Sequence, residues 1–192
     1  MGIYDEYAKH VLTISFGSRF DTTNNVLFSF GEDGGTGAVD GTIDDRVAVE
    51  IGVGSPKQIR GGLLDLLWHS YPVKLLLLVD TPGHSTQRSV GQAGAILAET
   101  SSPGVIIRLS GNSTADKTHV ESDQRKVSEV VGGHLSGAEQ NLIRIVDMVE
   151  ESDTTLSIDE AGLPFRWANH KPTRDQADEG SMPTLGIALE EL

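Results

Sequence analysis

Two acidic residues in the first third of the chain have the spacing of a carboxylate pair. Asp40 follows the apolar residues at 38–39, and Glu50 lies within the run RVAVEI at 46–51. Alternate side chains of a strand share a face, so Glu50 points away from the valines of that run. A turn over 41–45 would make a hairpin and bring the two carboxylates together. Converging carboxylates repel each other unless a cation lies between them, and their hard oxygen ligands favour Mg²⁺.

A divalent ion held in this way has a definite chemistry. Mg²⁺, or Mn²⁺ in its place, can activate water and neutralise the charge that develops on a phosphate group during displacement. The pair at Asp40 and Glu50 therefore favours metal-dependent phosphate hydrolysis.

The helices and strands around the pair are predicted from hydrophobic periodicity and from the residues that start and end helices. A sharp helix start is predicted where Ser55 is the N-cap, Pro56 the first helical residue and Gln58 the third. Pro72 disfavours helix at the residue before it, so this helix should end near 70. Further helices are predicted over 3–14, 85–99 and parts of 123–150, the last from the spacing of Leu142, Ile145, Val146 and Val149, and strands over 26–30, 38–40, 46–51, 73–79 and 104–109.

This order of elements predicts an α/β fold. The run VKLLLLV at 73–79 is nearly continuous in apolar residues, as in a strand buried on both faces. Helices on both faces of a central mixed sheet, an αβα sandwich, are the natural packing. The strands at 46–51 and 73–79 should be parallel neighbours joined by the helix between them. One domain is predicted over 1–172, with an acidic, loose tail over 173–192.

The stretch from 38 to 79, AVDG…RVAVEIGVGSPKQIRGGLLDLLWHSYPVKLLLLV, resembles the core of the PD-(D/E)XK nuclease superfamily. That core has an Asp on one strand, Glu/Asp-x-Lys on the next, then a helix and a buried strand. The resemblance covers roughly a fifth of the chain and implies a restriction-endonuclease-like fold. It implies that Asp40 and Glu50 hold the metal with the backbone carbonyl of Ile51, and that Glu6 on the first helix is a further candidate ligand.

One position departs from that pattern. The superfamily lysine, two residues after Glu50, is replaced by Gly52. Lys57 at the start of the following helix is the nearest basic candidate for the catalytic role, and Gln58 and Arg60 on the same turns are candidates for substrate binding. If Lys57 is catalytic, Lys57→Ala should abolish cutting while stability stays nearly unchanged.

Each of these residues also has an ordinary structural interpretation. Asp40 beside a glycine suits a turn, and Gln58 suits a helix capping box. Lys57 suits a solvated first turn, and Arg60 could pair with an acidic residue. Glu50 is the hardest to explain in this way, because a buried acid needs a partner.

Composition argues partly against nucleic acid. The 192 residues include 15 Lys and Arg against 28 Asp and Glu, a net charge of −13, whereas DNA-binding proteins usually have a basic face. A small local basic cluster, or a halophilic adaptation to screening salt, would reconcile the two. The chain has no cysteine, no apolar run long enough for a membrane span and no basic signal-peptide start, so a cytoplasmic location is expected.

Other chemistries find little support. The segment DTPGH at 80–84 resembles the DxxG switch of translational GTPases, but no GxxxxGK[ST] loop precedes it. It is interpreted as a turn between a strand and a helix. HExxH and GxSxG are both absent, against zinc and serine hydrolases.

Two functions therefore remain open. The first is a Mg²⁺-dependent endonuclease that cuts DNA, and the alternative is a catalytically silent nuclease-fold protein that binds DNA or a protein. A homodimer is expected because cutting both strands of a duplex needs two sites, with the segment 142–149, predicted as a helix, at the interface.

Overall fold

A computed structural model describes residues 2–22, 26–29, 36–137, 139 and 141–158. The predicted tail at 173–192 and the domain boundary at 172 lie outside these residues. The helices are α1 (Ile3–Phe16), α2 (Pro56–Trp68), α3 (Gln87–Glu99) and α4 (Lys117–Leu135). The strands are β1 (Phe20–Asp21), β2 (Val26–Ser29), β3 (Thr36–Val39), β4 (Gly41–Ile43), β5 (Val47–Val53), β6 (Val73–Val79), β7 (Gly104–Arg108), β8 (Leu142–Asp147) and β9 (Ser152–Ser157).

Seven strands form one mixed sheet in the order β1-β4-β5-β6-β7-β8-β9, and β2 pairs with β3 separately. Strands β5 to β8 are parallel, and antiparallel strands extend the sheet on both sides. Val47 pairs with Val73 and Val53 with Val79, joined through α2. The α/β class, the mixed sheet and this parallel pair are thus confirmed.

Helices cover both faces of the sheet. On one face α1 and α4 pack over a core that includes Tyr7, Val49, Leu77 and Val127. On the other face α2 and α3 pack over a core that includes Leu63, Leu76, Ala93 and Ile106. All seven residues of β6 are buried, as expected for a strand at the centre of three layers.

The three parallel crossovers do not share one hand. Strands β5, β6, β7 and β8 succeed one another in one direction across the sheet. Helices α2 and α3 lie on one face, whereas α4 lies on the other. The β7–α4–β8 connection therefore has the opposite hand to the two before it, which is unusual because such crossovers are almost always right-handed. The chain consequently leaves the carboxyl ends of β6 and β7 towards opposite faces of the sheet.

Two local predictions are wrong. The segment 142–149 is not a helix: Leu142–Asp147 is strand β8, between β7 and β9. A short apolar run cannot be assigned by spacing alone, and the β-branched Ile143, Ile145 and Val146 favour a strand. The predicted turn over 41–45 is also too long, because Gly41–Ile43 is strand β4 and the turn is confined to 44–46. The homodimer interface was proposed on a helix over 142–149, and strand β8 takes the place of that helix.

No helix among the described residues is both long and apolar enough to span a membrane.

Candidate functional site

The structure brings Asp40 and Glu50 together. Gly41 pairs with Val49 across β4 and β5, so Asp40 and Glu50 are the next residues in that register. The backbone N–H of Asp40 donates to the Glu50 carboxylate, and the N–H of Ile51 donates to Asp40 Oδ2 at 2.8 Å. Because both carboxylates are hydrogen-bonded to backbone of the opposite strand, the hairpin itself positions the pair.

Both carboxyl groups hold their protons unusually strongly. Burial, then the negative charges of Asp40 and Asp65, raise the pKa of Glu50 to about 8, against the hydrogen bond from Asp40. Burial also raises the pKa of Asp40, although the Ile51 N–H and the charge of Lys9 oppose this. Glu50 is therefore largely neutral near pH 7 without a cation, because burial and the neighbouring acids disfavour its charged form.

Helix α2 approaches Glu50 through a glycine. A Cβ atom placed on Gly62 would lie 2.2 Å from Glu50 Oε1, whereas one on the neighbouring Gly61 would meet nothing within 4 Å. The carboxylate thus rests against the helix backbone at Gly62. Asp65 follows three residues later on the same flank of the helix. Neither glycine was identified from the sequence, because a helical pattern does not show which flank meets another strand.

Helix α1 contributes Asp5 and Lys9 rather than Glu6. The charges of Asp5 and Lys9 both act on Asp40, and Asp5 also acts on Glu50. Lys9 Nζ lies 3.3 Å from Asp5 Oδ2, and both side chains are largely buried. Glu6 is exposed. The first helix was expected to supply an acid, but its rotation, set by the burial of Tyr7 and Val11, selects the neighbouring residue.

The basic candidates of α2 lie away from Glu50. Gly62 lies five positions after Lys57 in the sequence, which places the two residues about 140° apart around the helix axis. Lys57 and Arg60 are exposed, and Arg60 lies beside Ser89 and Gln92 of α3. The structure therefore places both cations on a different side of α2 from the carboxylate pair.

Gln58 completes the predicted capping box. The Ser55 hydroxyl accepts from the Gln58 N–H at 3.5 Å, and Gln58 Oε1 accepts from the Ser55 N–H at 3.0 Å. The Gln58 side chain is thus committed to starting α2, which is the ordinary structural interpretation of this residue.

The position of the superfamily lysine has no space for a side chain. A Cβ on Gly52 would lie 2.6 Å from Leu78 Cδ2 and 3.2 Å from Ile59 Cγ1, both within the core beneath α2. A lysine here would have to displace two buried residues. The departure at Gly52 therefore reflects how closely α2 packs on β5 and β6.

A metal ion would find a partial set of ligands. No three His, Asp or Glu side chains among the described residues converge closely enough to hold an ion. Two carboxylates and a backbone carbonyl remain, and Mg²⁺ commonly takes one or two carboxylates and keeps several waters. The N–H and C=O of a strand residue point to the same side, so the Ile51 carbonyl faces the β4 side as its N–H does.

A second charged cluster, at the carboxyl ends of β6, β7 and β8, was not predicted. Arg108 is buried between Asp80 and Asp147, with Nη2 2.6 Å from Asp80 Oδ2 and Nη1 3.0 Å from Asp147 Oδ2. Asp80 also accepts from the Thr86 N–H and hydroxyl at 2.7 and 2.6 Å. Burial opposes it, but Arg108 and Thr86 together hold the pKa of Asp80 below its usual range. This explains the DTPGH segment as a turn tied down by its aspartate.

A cavity of about 580 Å³ adjoins that cluster, between α3 and strands β8 and β9. Its walls include Asp147, Glu150, Ser152 and Thr154. The carboxylate of Asp147 also accepts from the Val149 and Glu150 N–H groups at 3.0 Å, so it holds the β8–β9 turn as well as Arg108.

The loop after β7 is fixed by another buried acid. Asp123 of α4 is 0% exposed and accepts from Tyr7 Oη at 2.7 Å, from the Ser110 N–H and hydroxyl, and from the Gly111 N–H. The N–H groups of Ser110 and Gly111 thus have the protein's own carboxylate as their acceptor.

Comparison with known proteins yields no relative: no family model matches the chain, and no curated protein or solved structure matches it significantly.

Proposed function

We propose that the chain is a Mg²⁺-dependent endonuclease of the restriction-endonuclease-like type, which hydrolyses DNA phosphodiester bonds at Asp40 and Glu50. The observation that carries the proposal is the half-buried carboxylate pair, held by the hairpin of β4 and β5, in which burial and the neighbouring acids disfavour ionisation of Glu50. Ionising both carboxylates would cost free energy, because each charge would be partly removed from water beside another of the same sign. A bound cation would offset this cost by neutralising the two carboxylates.

The order of elements supports this proposal. Helix α1, the hairpin of β4 and β5, helix α2 and the parallel strand β6 succeed one another along the chain. Asp40 directly precedes β4, and Glu50 lies in β5 against Gly62 of α2. This is the arrangement that the resemblance to the PD-(D/E)XK superfamily implies.

The roles of the residues follow from their contacts. Asp40, Glu50 and the Ile51 carbonyl would hold Mg²⁺ or Mn²⁺, which when bound supplies charge neutralisation at phosphate and a more acidic water. Near neutral pH the raised pKa of Glu50 keeps it largely protonated, so loading the site must release a proton. The superfamily has a lysine at the position of Gly52. Lys9, whose charge acts on Asp40, is the basic group best placed to take the role of that lysine.

A specific observation favours the alternative of a catalytically silent nuclease fold. Gly52 packs against Leu78 and Ile59 so closely that no lysine fits, and Lys57 lies on another side of α2. A chain with this geometry could keep the fold and the acids, and bind DNA or a protein without cutting.

The first experiment separates metal binding from cutting. Calorimetric titration of Mn²⁺ or Mg²⁺ should show one site in the wild type, with proton release, and at least tenfold weaker binding in Asp40→Asn and Glu50→Gln. Plasmid nicking with either metal, at low and high salt, then tests activity. Metal binding without nicking under any condition selects the silent fold, and absence of metal binding refutes the proposal.

The same assay tests the basic group. Lys9→Met should abolish nicking, whereas Lys57→Ala should do so only if the exposed lysine reaches the site. Both changes should leave the fold intact by circular dichroism. Light scattering of the wild type tests the proposed homodimer, since a monomer would be expected to nick one strand rather than to cut both.

A further inference from the structure

The cavity between α3 and strands β8 and β9 lies at the edge of the sheet. Among the described helices, α3 packs over β7 and β8, and β9 is the last strand beyond them. The cavity volume of about 580 Å³ is within the range of small-molecule sites. Apolar and polar residues both line it, among them Val90, Gly91, Ile145, Gln87, Ser152 and Thr154. A small organic molecule would therefore find contacts of both kinds.

Two glycines of α3 show where the open space lies. A Cβ atom on Gly94 would lie 2.5 Å from Ile145 Cδ1, so this side chain of β8 fills the space beside Gly94. Gly91 is three residues earlier, on the same side of the helix. A Cβ atom there would meet nothing within 4 Å among the described residues, and Gly91 lines the cavity. The backbone of α3 at Gly91 is therefore accessible to a ligand, whereas Ile145 occupies the equivalent space at Gly94.

The charged groups at one end of the cavity are acidic. Asp147 and Glu150 line it, and the lining residues that the structure describes include no Lys, Arg or His. Arg108 lies behind Asp147, but it is buried and its N–H groups already donate to Asp80, Asp147 and Ser85. Glu150 Oε1 is 3.8 Å from Arg108 Nη1, which is beyond hydrogen-bonding distance. Three carboxylates thus meet one guanidinium group, so this end of the cavity attracts a cation and repels an anion.

We propose that this cavity binds a small organic cation, a primary amine with an apolar body, whose ammonium group contacts Glu150 and whose apolar part lies against Gly91 and Ile145. An ammonium group has three N–H donors and no acceptor. The polar side chains of the lining all offer oxygen acceptors, and they are Asp147, Glu150, Ser152, Thr154 and Gln87. A wholly apolar ligand would cover these groups without giving them partners, which costs free energy.

The backbone that carries Glu150 is fixed by the protein itself. Asp147 accepts from the N–H groups of Val149 and Glu150 at 3.0 Å, and Arg108 holds the Asp147 carboxylate. The β8–β9 turn therefore presents the Glu150 carboxylate from a defined position, while the side chain itself remains 53% exposed at the cavity.

This site is separate from the carboxylate pair of the proposed nuclease. Strand β8 is three strands away from β5 in the sheet, a distance of about 14 Å. Binding of an amine at the cavity therefore does not depend on a metal ion at Asp40 and Glu50.

Three probes of similar shape test the proposal: phenethylamine, phenylethanol and phenylacetate, which end in an ammonium group, a hydroxyl group and a carboxylate. In NMR titrations of the full chain at neutral pH and low salt, phenethylamine should bind in the millimolar range. It should shift the backbone signals of Gly91 and Thr154 and leave those of Gly61 and Gly132 unchanged. Phenylethanol should bind several-fold more weakly and phenylacetate not measurably, because the carboxylates attract only the cation. High salt should weaken the binding of phenethylamine.

Two variants with matched controls locate the binding. Gly91→Leu fills the cavity and should abolish binding, while the melting temperature stays equal or rises because leucine favours a helix over glycine. Gly61→Leu, at a glycine of α2 that also meets open space, should bind phenethylamine like the wild type. Glu150→Gln should weaken binding on the order of fivefold, as expected for a partly exposed ion pair. Glu121→Gln, at an exposed acid of α4, should not change it.

Three outcomes would overturn the proposal. The first is the absence of shifts at Gly91 and Thr154 with phenethylamine, and the second is equal affinity for the three probes. The third is equal weakening by Glu150→Gln and Glu121→Gln, which would show only a general attraction of cations to an acidic protein. If Gly91→Leu fails to fold, the probe comparison and the two glutamate variants still decide. The metal titration bears on none of these outcomes, so the failure of either proposal is read separately.

Discussion

Two pairs of acidic residues differ in what lies between them: one pair is at the carboxyl ends of the parallel strands β6 and β8, and the other is at the antiparallel hairpin of β4 and β5. Asp80 and Asp147 enclose Arg108, which donates to both. Among the described residues no cationic side chain donates to Asp40 or Glu50, and the charge of Lys9 acts on Asp40 from α1. The first pair is bridged within the chain by Arg108 and is structural, whereas Asp40 and Glu50 form the site proposed to bind a metal ion.

Removing the internal cation should produce the largest effect. Arg108→Met leaves Asp80 and Asp147 facing each other without a counter-charge, which should cost about 3–5 kcal/mol of unfolding free energy. Thermal unfolding should show a melting temperature lower by about 10 °C. Adding Asp80→Asn and Asp147→Asn should restore much of the loss. An Arg108→Met variant as stable as the wild type would mean that the two clusters do not differ in the way proposed.

Neutralising Glu50 should raise the free energy of unfolding, which is opposite to the effect expected for Arg108→Met. Between the usual pKa of Glu50 near 4.5 and its folded value of about 8, the folded state keeps a proton that the unfolded state has lost. Stability contributed by Glu50 therefore falls as pH rises through this window. Without metal, Glu50→Gln should be more stable than the wild type at pH 8, by on the order of 3 kcal/mol, and equal to it near pH 4.

Chemical denaturation of both proteins across this range checks that difference. Added Mg²⁺ should stabilise the wild type and leave Glu50→Gln unchanged. A constant difference at all pH values would show that Glu50 does not titrate as its surroundings imply.

The smallest effect concerns the glycine that holds Glu50 in place. Gly62→Ala puts a methyl group where Glu50 Oε1 lies, so the carboxylate must move and metal affinity should fall about tenfold. Gly61→Ala meets open space and should only strengthen α2, by about 0.5–1 kcal/mol. Calorimetric metal titration and thermal unfolding of the two variants give this contrast. Equal metal affinity in the two variants would show that the position of the Glu50 carboxylate does not affect metal binding, against its proposed role.

Much of the local structure was determined by the sequence alone. Ser55, Pro56 and Gln58 start α2 as predicted, and the apolar run at 73–79 forms the central strand β6. The strand of Glu50 also follows from short-range pattern, but the hairpin was predicted with 38–40 as its first strand, whereas Gly41–Ile43 pairs with β5 and Thr36–Val39 pairs with β2. These features depend on backbone hydrogen bonding and periodicity within a few residues, which a sequence records directly.

Only the tertiary structure decided the rest. Arg108 meets Asp80 and Asp147 from 28 and 39 residues away, and no local pattern marks such partners. The rotation of α1 selects Asp5 and Lys9 over Glu6, and the close packing of α2 leaves no space at Gly52. The apolar spacing of 142–147 fitted a helix, yet its place between two strands made it β8. In each case the outcome depends on which surfaces meet across the core, because packing and burial act between residues distant in the chain.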